Sequence, residues 1–88
     1  MQFIDFRGQN TLSFRQIDEL NGLPKGSAFR RFKRLRDWLE EGVDYHYLSA
    51  TDEATRIEAL RREGRIYSGT HHLVLITERG YHRLQSGE

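Results

Sequence analysis

Six basic side chains fall within the twelve positions from 25 to 36, and no acidic residue lies among them. They are Lys25, Arg30, Arg31, Lys33, Arg34 and Arg36. Dense cations attract phosphate, and the planar guanidinium of arginine also forms paired hydrogen bonds with guanine edges. A surface with only a structural role more often mixes charges of both signs, because like charges repel. The segment therefore predicts contact with nucleic acid. The alternative is a solvated basic face on an ordinary amphipathic helix.

The net charge of the chain hides this concentration. It is only +1, yet the sequence outside residues 25–36 carries eight of the 14 basic residues against all 13 acidic ones. Salt screens charges beyond about 8–10 Å, so a local patch decides phosphate attraction more than the total does. The sequence is thus polarised into one strongly cationic segment on a mildly acidic body.

A second group of phosphate-compatible side chains lies in residues 61–72. Gly64 and Gly69 would let this backbone approach a ligand closely, and the basic, hydroxyl and imidazole groups suit phosphates or a minor groove. We assign nucleic-acid contact in this segment to Arg65, Ser68, Thr70 and His71. The alternatives are a mobile surface loop, or a loop in which Ile66 and Tyr67 pack back on the core.

Other chemistries have little support. The chain has no cysteine, which excludes disulfides, thiolate zinc sites and thiol catalysis. It has four histidines, but adjacent His71 and His72 on a strand would point to opposite faces and could not easily share one metal ion. No nucleophile elbow or HExxH motif is present. We therefore expect no enzymatic activity, no metal, no cofactor and no small-molecule substrate.

Periodicity places the basic segment on the second of two helices. Ser13 and Gln16 form a capping box that opens a first helix over residues 14–20, and Asn21 and Gly22 end it. After a turn, Ser27 is the expected N-cap of a helix that runs to about residue 40. Two short helices joined by a glycine-containing turn are typical of a helix-turn-helix.

This second helix has an apolar side and a cationic side. Its apolar stripe consists of Ala28, Phe32, Leu35 and Leu39, with Phe29 and Trp38 on the flanks. Phe29, Phe32 and Trp38 could also stack the bases of a single strand. Their helical spacing favours core packing instead, because a small domain needs the free energy that their burial supplies.

The rest of the pattern predicts strands over residues 2–7, 43–48 and 73–76, and helices over residues 52–63 and from Thr77 onward. Residues 8–10 end the first strand, and Ser49 or Thr51 caps the third helix. In the second strand the set Val43, Tyr45 and Tyr47 is more apolar than the set Asp44, His46 and Leu48.

If the last two strands pair, they form a hairpin that carries a helix. We therefore predict a single α+β domain over residues 1–88. Its architecture would be winged helix-turn-helix-like, with a short β-hairpin wing and a helical insertion. The longest apolar run, residues 73–76, cannot span a membrane, and residues 1–5 lack the features of a secretory signal. We expect a cytoplasmic protein without membrane contact.

Three segments carry a family resemblance. Residues 12–20 (LSFRQIDEL), 41–45 (EGVDY) and 75–81 (LITERGY), with the basic helix between the first two, resemble the N-terminal DNA-binding domains of phage antirepressor and KilA-N-like proteins. Order and approximate spacing agree from Thr11 to Leu84. The resemblance implies a helix-turn-helix-like module of phages and other mobile elements, often joined to a separate C-terminal effector domain.

The sequence thus predicts a sequence-specific double-stranded DNA-binding protein, a transcriptional regulator or antirepressor-type factor. The second helix would enter the major groove with Ser27, Arg30, Arg31 and Arg34 near base edges. Lys25, Lys33 and Arg36 would contact phosphates, and the first N–H groups of the helix would favour phosphate as well. A module this small usually dimerises or binds in arrays on DNA. Two alternatives are an excisionase-like architectural factor and a protein-interaction module that docks an acidic partner.

Overall fold

An antiparallel sheet of four strands runs through the middle of the computed structural model, which describes residues 2–87. The strands are β1 (Ile4–Phe6), β2 (Gln9–Leu12), β3 (Tyr45–Leu48) and β4 (Leu73–Thr77). They lie in the order β1-β2-β4-β3, so that β4 is central and β3 forms one edge. Met1 and Glu88 lie outside the described residues. Met1 belongs to residues 1–5, in which the sequence shows no secretory signal.

Four helices accompany the sheet in this range. They are α1 (Phe14–Asn21), α2 (Ser27–Leu35), α3 (Ala54–Arg62) and α4 (Glu78–Ser86), and a 3-10 turn over Arg36–Trp38 follows α2. Within residues 2–87, none of these helices has the length and apolar character that a membrane-spanning segment requires. The protein is therefore a compact α+β fold, which confirms the predicted fold class at that level.

Helices cover both faces of the sheet. On one face Leu12, Tyr45 and Ile76 pack with the apolar sides of α1, α2 and α4. On the other face Leu48 and Leu75 pack with α3 and with the segment that follows it. Because both faces are buried, alternation along a strand does not separate inside from outside.

The predicted inward set on β3 is wrong for this reason. Tyr45 is buried, but Tyr47 is 46% exposed. Asp44, His46 and Leu48, the set judged less apolar, are all buried. The predicted pairing of the last two strands is confirmed, with Tyr45 opposite Ile76 and Leu48 opposite Leu73, and α3 is inserted between these strands.

The strand β2 was not predicted. Arg7 and Gly8 both have positive φ, +54° and +80°, and form a two-residue turn that returns the chain along β1. Polar Gln9 and Asn10, expected to end the first strand, open the second one instead. A non-glycine residue with positive φ at Arg7 has no signal in the sequence.

Local signals set the ends of α1 and α4. The Ser13–Gln16 capping box is present, and Gly22 ends α1 in the left-handed conformation. Thr77 caps α4 by accepting a hydrogen bond from the Gly80 amide at 3.1 Å. These three predictions are confirmed. The predicted cap of α3 by Ser49 or Thr51 is wrong, because the N-cap residue is Glu53 and its side chain forms no cap hydrogen bond. Ser49 Oγ accepts a hydrogen bond from the amide of Asp52, before the helix begins.

The basic helix α2 is shorter than predicted. It ends at Leu35 and gives way to the 3-10 turn, whereas the sequence predicted a helix to about residue 40. Phe29 and Trp38 lie outside the core, 47% and 49% exposed, and their predicted burial is wrong. Trp38 instead packs under the guanidinium of Arg83, at 4.3 Å from ring centroid to Cζ.

Candidate nucleic-acid interface

The start of α2 is held by a carboxylate from α1. Asp18 is buried, and its oxygens accept hydrogen bonds from the amides of Gly26 (3.0 Å) and Ala28 (2.8 Å). The predicted Ser27 cap is wrong, because Ser27 is already helical and donates its hydroxyl to the carbonyl of Pro24 at 2.8 Å. Asp18 therefore fixes the angle between the two helices, and a negative charge at a helix N-terminus is stabilising.

This cap also occupies the N-terminal N–H groups of α2, where the sequence predicted phosphate binding. The amides of Gly26 and Ala28 bind Asp18, and the amide of Ser27 binds the carbonyl of Pro24. The expectation that the first N–H groups of α2 receive a phosphate is wrong. Anion binding along α2 is left to the side chains.

The basic side chains of the segment lie at the surface. Lys25, Arg30, Lys33, Arg34 and Arg36 are exposed and Arg31 is half-buried. Within residues 2–87, none of the six forms an ion pair with an acidic side chain. Arginines elsewhere pair with acids on α1, on α3 and at Asp44, just before β3. The cationic charge of α2 is therefore available to an external anion.

These cations lie on two different sides of α2. Ser27, Arg30, Arg31 and Arg34 surround a shallow cavity of about 460 Å³ that reaches the end of α4; we call this the arginine side. Lys25, Lys33 and Arg36 line a larger groove on the other flank of the helix; we call this the groove side. The residues predicted for base edges thus lie together on one side and those predicted for phosphates on the other, and the contacts themselves stay a prediction.

Arg31 differs from its neighbours on the arginine side. Its Nε donates to the carbonyl of Leu84 at 2.7 Å, near the end of α4. In the part of the chain that the structure describes, the side chains of Arg30 and Arg34 form no hydrogen bond. Arg31 thus also holds α2 to α4, whereas Arg30 and Arg34 are free to contact a ligand.

The segment after α3 is tied to the rest of the protein. Ile66 is buried and packs in the second core, and Tyr67 donates its hydroxyl to Asp18 Oδ2 at 2.5 Å. Arg61 donates to the carbonyls of Ser68 and Thr70. The predicted packing of this loop on the core is confirmed for Ile66, whereas Tyr67 is half-buried and bonded to Asp18. Contact of the loop with nucleic acid stays a prediction.

The four residues assigned here to nucleic acid have different surroundings. Thr70 lines the same groove as Lys25 and Lys33, and Ser68 and His71 are exposed. Arg65 is turned toward the N-terminal strand, where its guanidinium donates to Gln2 and Phe3 and pairs with Glu63. The structure therefore joins Thr70 to the groove side of α2 and does not join Arg65 to it.

Sequence reasoning missed the aromatic walls of this groove. Its lining includes Phe14, Phe29, Tyr47, Tyr67 and His72. Tyr47 and His72 stack with ring centroids 5.6 Å apart and an angle of 27°. The residues come from four separate segments, so no spacing in the sequence could have grouped them.

Two histidines, His46 and His72, form hydrogen bonds within the fold. His46 Nε2 lies 2.6 Å from Gln9 Oε1, and burial, with a smaller effect from Arg7, lowers the pKa of His46. His72 Nδ1 accepts from the amide of Ala50. Across residues 2–87, no three histidine or acidic side chains are grouped so as to hold a metal ion.

Tyr67 should make the stability of the protein sensitive to alkaline pH. Partial burial and the hydrogen bond to Asp18 raise the pKa of Tyr67 to about 12, above the value of about 10 in an unfolded chain. The hydroxyl thus stabilises the fold fully below pH 10, and this contribution is lost as pH rises toward 12.

We expect Tyr67→Phe to lower the free energy of unfolding by about 1.5 kcal/mol at pH 8. The gap between the two proteins should narrow between pH 10 and 12. Urea denaturation across this pH range measures both values. A gap that stays constant with pH would contradict the assigned role of the hydroxyl.

No protein-family model matches the chain, and the comparisons with curated proteins and with solved structures give no match either. The function must therefore be argued from the interface itself. Its main features are an exposed cationic helix, a carboxylate that orients it, and an aromatic groove along one flank.

Proposed function

We propose that this protein is a sequence-specific double-stranded DNA-binding protein that inserts α2 into the major groove. The observation that carries the proposal is the set of six basic side chains in residues 25–36, five of them exposed and Arg31 half-buried, which form no ion pair with an acid within residues 2–87. Guanidinium groups left without acidic partners on a positioned helix are suited to phosphates and base edges.

The dimensions of α2 fit this role. Its nine residues form a helix about 13 Å long and, with side chains, about 10–12 Å in diameter. A major groove about 12 Å wide admits a helix of this diameter. Arg30 and Arg34 are four residues apart and therefore lie one above the other on the same side. They are the principal candidates for base edges, with Ser27 and the half-buried Arg31 beside them.

The remaining cations would fix the register on the duplex. Lys25, Lys33 and Arg36, on the groove side, are proposed to contact the phosphate backbone. The hairpin β3–β4 would act as a wing, and Ser68, Thr70 and His71, in the loop between α3 and β4, would touch the backbone from there. The inserted helix α3 packs on the other face of the sheet and would lie outside the contact. Arg65 contributes least, because its guanidinium is already engaged by Gln2, Phe3 and Glu63.

We further propose that the protein regulates a phage or another mobile element in the cytoplasm, as the resemblance to antirepressor and KilA-N-like domains implies. Binding as a homodimer or in an array would supply the affinity that one small module lacks. The acidic-partner alternative predicts the opposite behaviour on a column. A module of that kind would not be retained on heparin or on random DNA.

The salt dependence of DNA binding tests the proposal. Lys33→Ala or Arg36→Ala should weaken binding to all duplexes alike and reduce the slope of log K against log salt by about one. The slope can be measured by mobility shift at several salt concentrations. Arg62→Ala, which removes the same charge from an exposed position on α3, is the control and should leave the slope unchanged. If Lys33→Ala and Arg36→Ala bind with the same salt slope as the unmodified protein and as Arg62→Ala, the proposal that α2 lies in the DNA interface is wrong.

A further inference from the structure

One cavity beside α2 has properties that duplex binding does not require. It is a groove of about 750 Å³ between α2 and the segment that leads into β4, within the range of roughly 300–1,000 Å³ typical of ligand sites. Aromatic rings form much of its walls, and three of them, those of Phe29, Tyr47 and His72, belong to exposed residues.

The electrostatics of the groove select an anion. Lys25, Lys33 and Arg36 line it without an acidic partner among the described residues, together with Arg15, which pairs with Glu19. The described lining contains no aspartate or glutamate. Both ammonium groups in the lining already lie over ring faces, that of Lys33 over Phe29 at 5.3 Å and that of Lys25 over Tyr67 at 5.2 Å. The ligand that fits must combine negative charge with flat groups that stack.

We propose that this groove binds single-stranded nucleic acid, with bases stacked on Tyr47 and Phe29 and phosphates held by Lys25, Lys33 and Arg36. A cationic groove with aromatic platforms is the arrangement that binds single strands without reading their sequence, because every base has a face to stack. Tyr47 rests on His72 and is still 46% exposed, so it offers its free face to a base.

An acidic peptide would satisfy the charge but not the backbone. A bound peptide needs partners for its own amides and carbonyls. The carbonyls of the loop that borders the groove are already used inside the chain. Those of Ile66, Tyr67 and Ser68 accept from Arg15, from the amide of Thr70 and from Arg61. A single strand held by stacking and by phosphate contacts needs none of them.

The test is fluorescence anisotropy of the full chain with a labelled (dT)12 strand and, separately, with a random-sequence duplex. Tyr47→Ala and Phe29→Ala, on different elements, should each weaken (dT)12 binding about tenfold. Tyr47→Ala should leave duplex affinity within a factor of two. Tyr47→Phe should retain single-strand affinity, since the ring remains. Phe3→Ala removes an aromatic ring that is 52% exposed outside the groove and is the matched control. Thermal unfolding of each variant confirms that it is folded.

Each other result decides against the proposal in a distinct way. Duplex binding without (dT)12 binding overturns the groove inference and leaves the proposed function standing. Loss of both probes to the same extent in folded Tyr47→Ala means that there is one site and not two. Tighter, Tyr47-dependent binding of a peptide of alternating glutamate and phenylalanine assigns the groove to a protein partner. Binding of neither nucleic acid overturns both proposals.

Discussion

Gly80→Ala is expected to destabilise the protein by at least about 3 kcal/mol, a large part of the stability of a domain this size. A β-carbon added at Gly80 would overlap the carbonyl oxygen of Asp44 and lie only 2.7 Å from its carbonyl carbon. Both partners are backbone atoms at buried positions, so no flexible side chain can give way.

The contact cannot relax without losing hydrogen bonds. The Asp44 carbonyl accepts from the amide and the hydroxyl of Thr77, each at 3.0 Å. The same hydroxyl caps α4 at Gly80. Displacing Asp44 would also disturb its buried carboxylate, which Arg83 contacts at 2.8 Å. One methyl group would therefore weaken the junction of β3, β4 and α4.

Urea denaturation followed by circular dichroism measures the loss. Gly69→Ala is the matched control, because a β-carbon there meets no described atom within 4 Å and the backbone φ is not positive. It should change the free energy of unfolding by no more than about 0.5 kcal/mol. If Gly80→Ala unfolds at the same urea concentration as Gly69→Ala, the close approach of Gly80 to Asp44 is wrong.

This junction gives a structural reason for two of the segments that carry the family resemblance. Asp44 belongs to residues 41–45, and Thr77 and Gly80 belong to residues 75–81. They meet through the contacts described above. The sequence could show that both segments are present, but not that they touch. Their residues support the fold, and the resemblance alone does not identify DNA contacts.

Features that depend on neighbouring residues were predictable. The capping box at Ser13 and the glycine end at Gly22 follow from local rules, and both are present. The cap of α2 was not predictable, because Asp18 lies eight residues before the amide of Gly26 and reaches it only after the chain has turned. The sequence around Ser27 favours that residue as the N-cap, but the N-cap of α2 is Gly26.

The site divides in the same way. Exposure of Arg30, Lys33 and Arg34 follows from helical periodicity, because they face away from the buried stripe. The exposure of Phe29 does not follow, because it depends on how far the following chain covers it. The groove beside Phe29 is formed with Tyr47 on β3 and with His72 just before β4, a tertiary arrangement that periodicity does not report.

The double variant Arg30→Ala, Arg34→Ala should lose roughly 2–6 kcal/mol of binding free energy on the preferred duplex, since each bidentate guanine contact contributes about 1–3 kcal/mol. Both side chains are exposed on the arginine side of α2. Neither supports the fold through a hydrogen bond within the described residues. The effect should therefore appear in binding and not in stability. Arg31 is left in place because losing its hydrogen bond to the Leu84 carbonyl would change stability as well as DNA binding.

The preferred duplex comes from selection in a random pool, and paired half-sites among the selected sequences would indicate a dimer. Mobility shift then compares the preferred and a scrambled duplex at one salt concentration. A base-reading role requires a larger loss on the preferred duplex, because an arginine that only meets phosphate weakens both equally. Arg62→Ala should change neither affinity by more than about twofold, since position 62 lies on α3, which packs against the opposite face of the sheet. If the double variant keeps its affinity and its preference, α2 does not read the major groove.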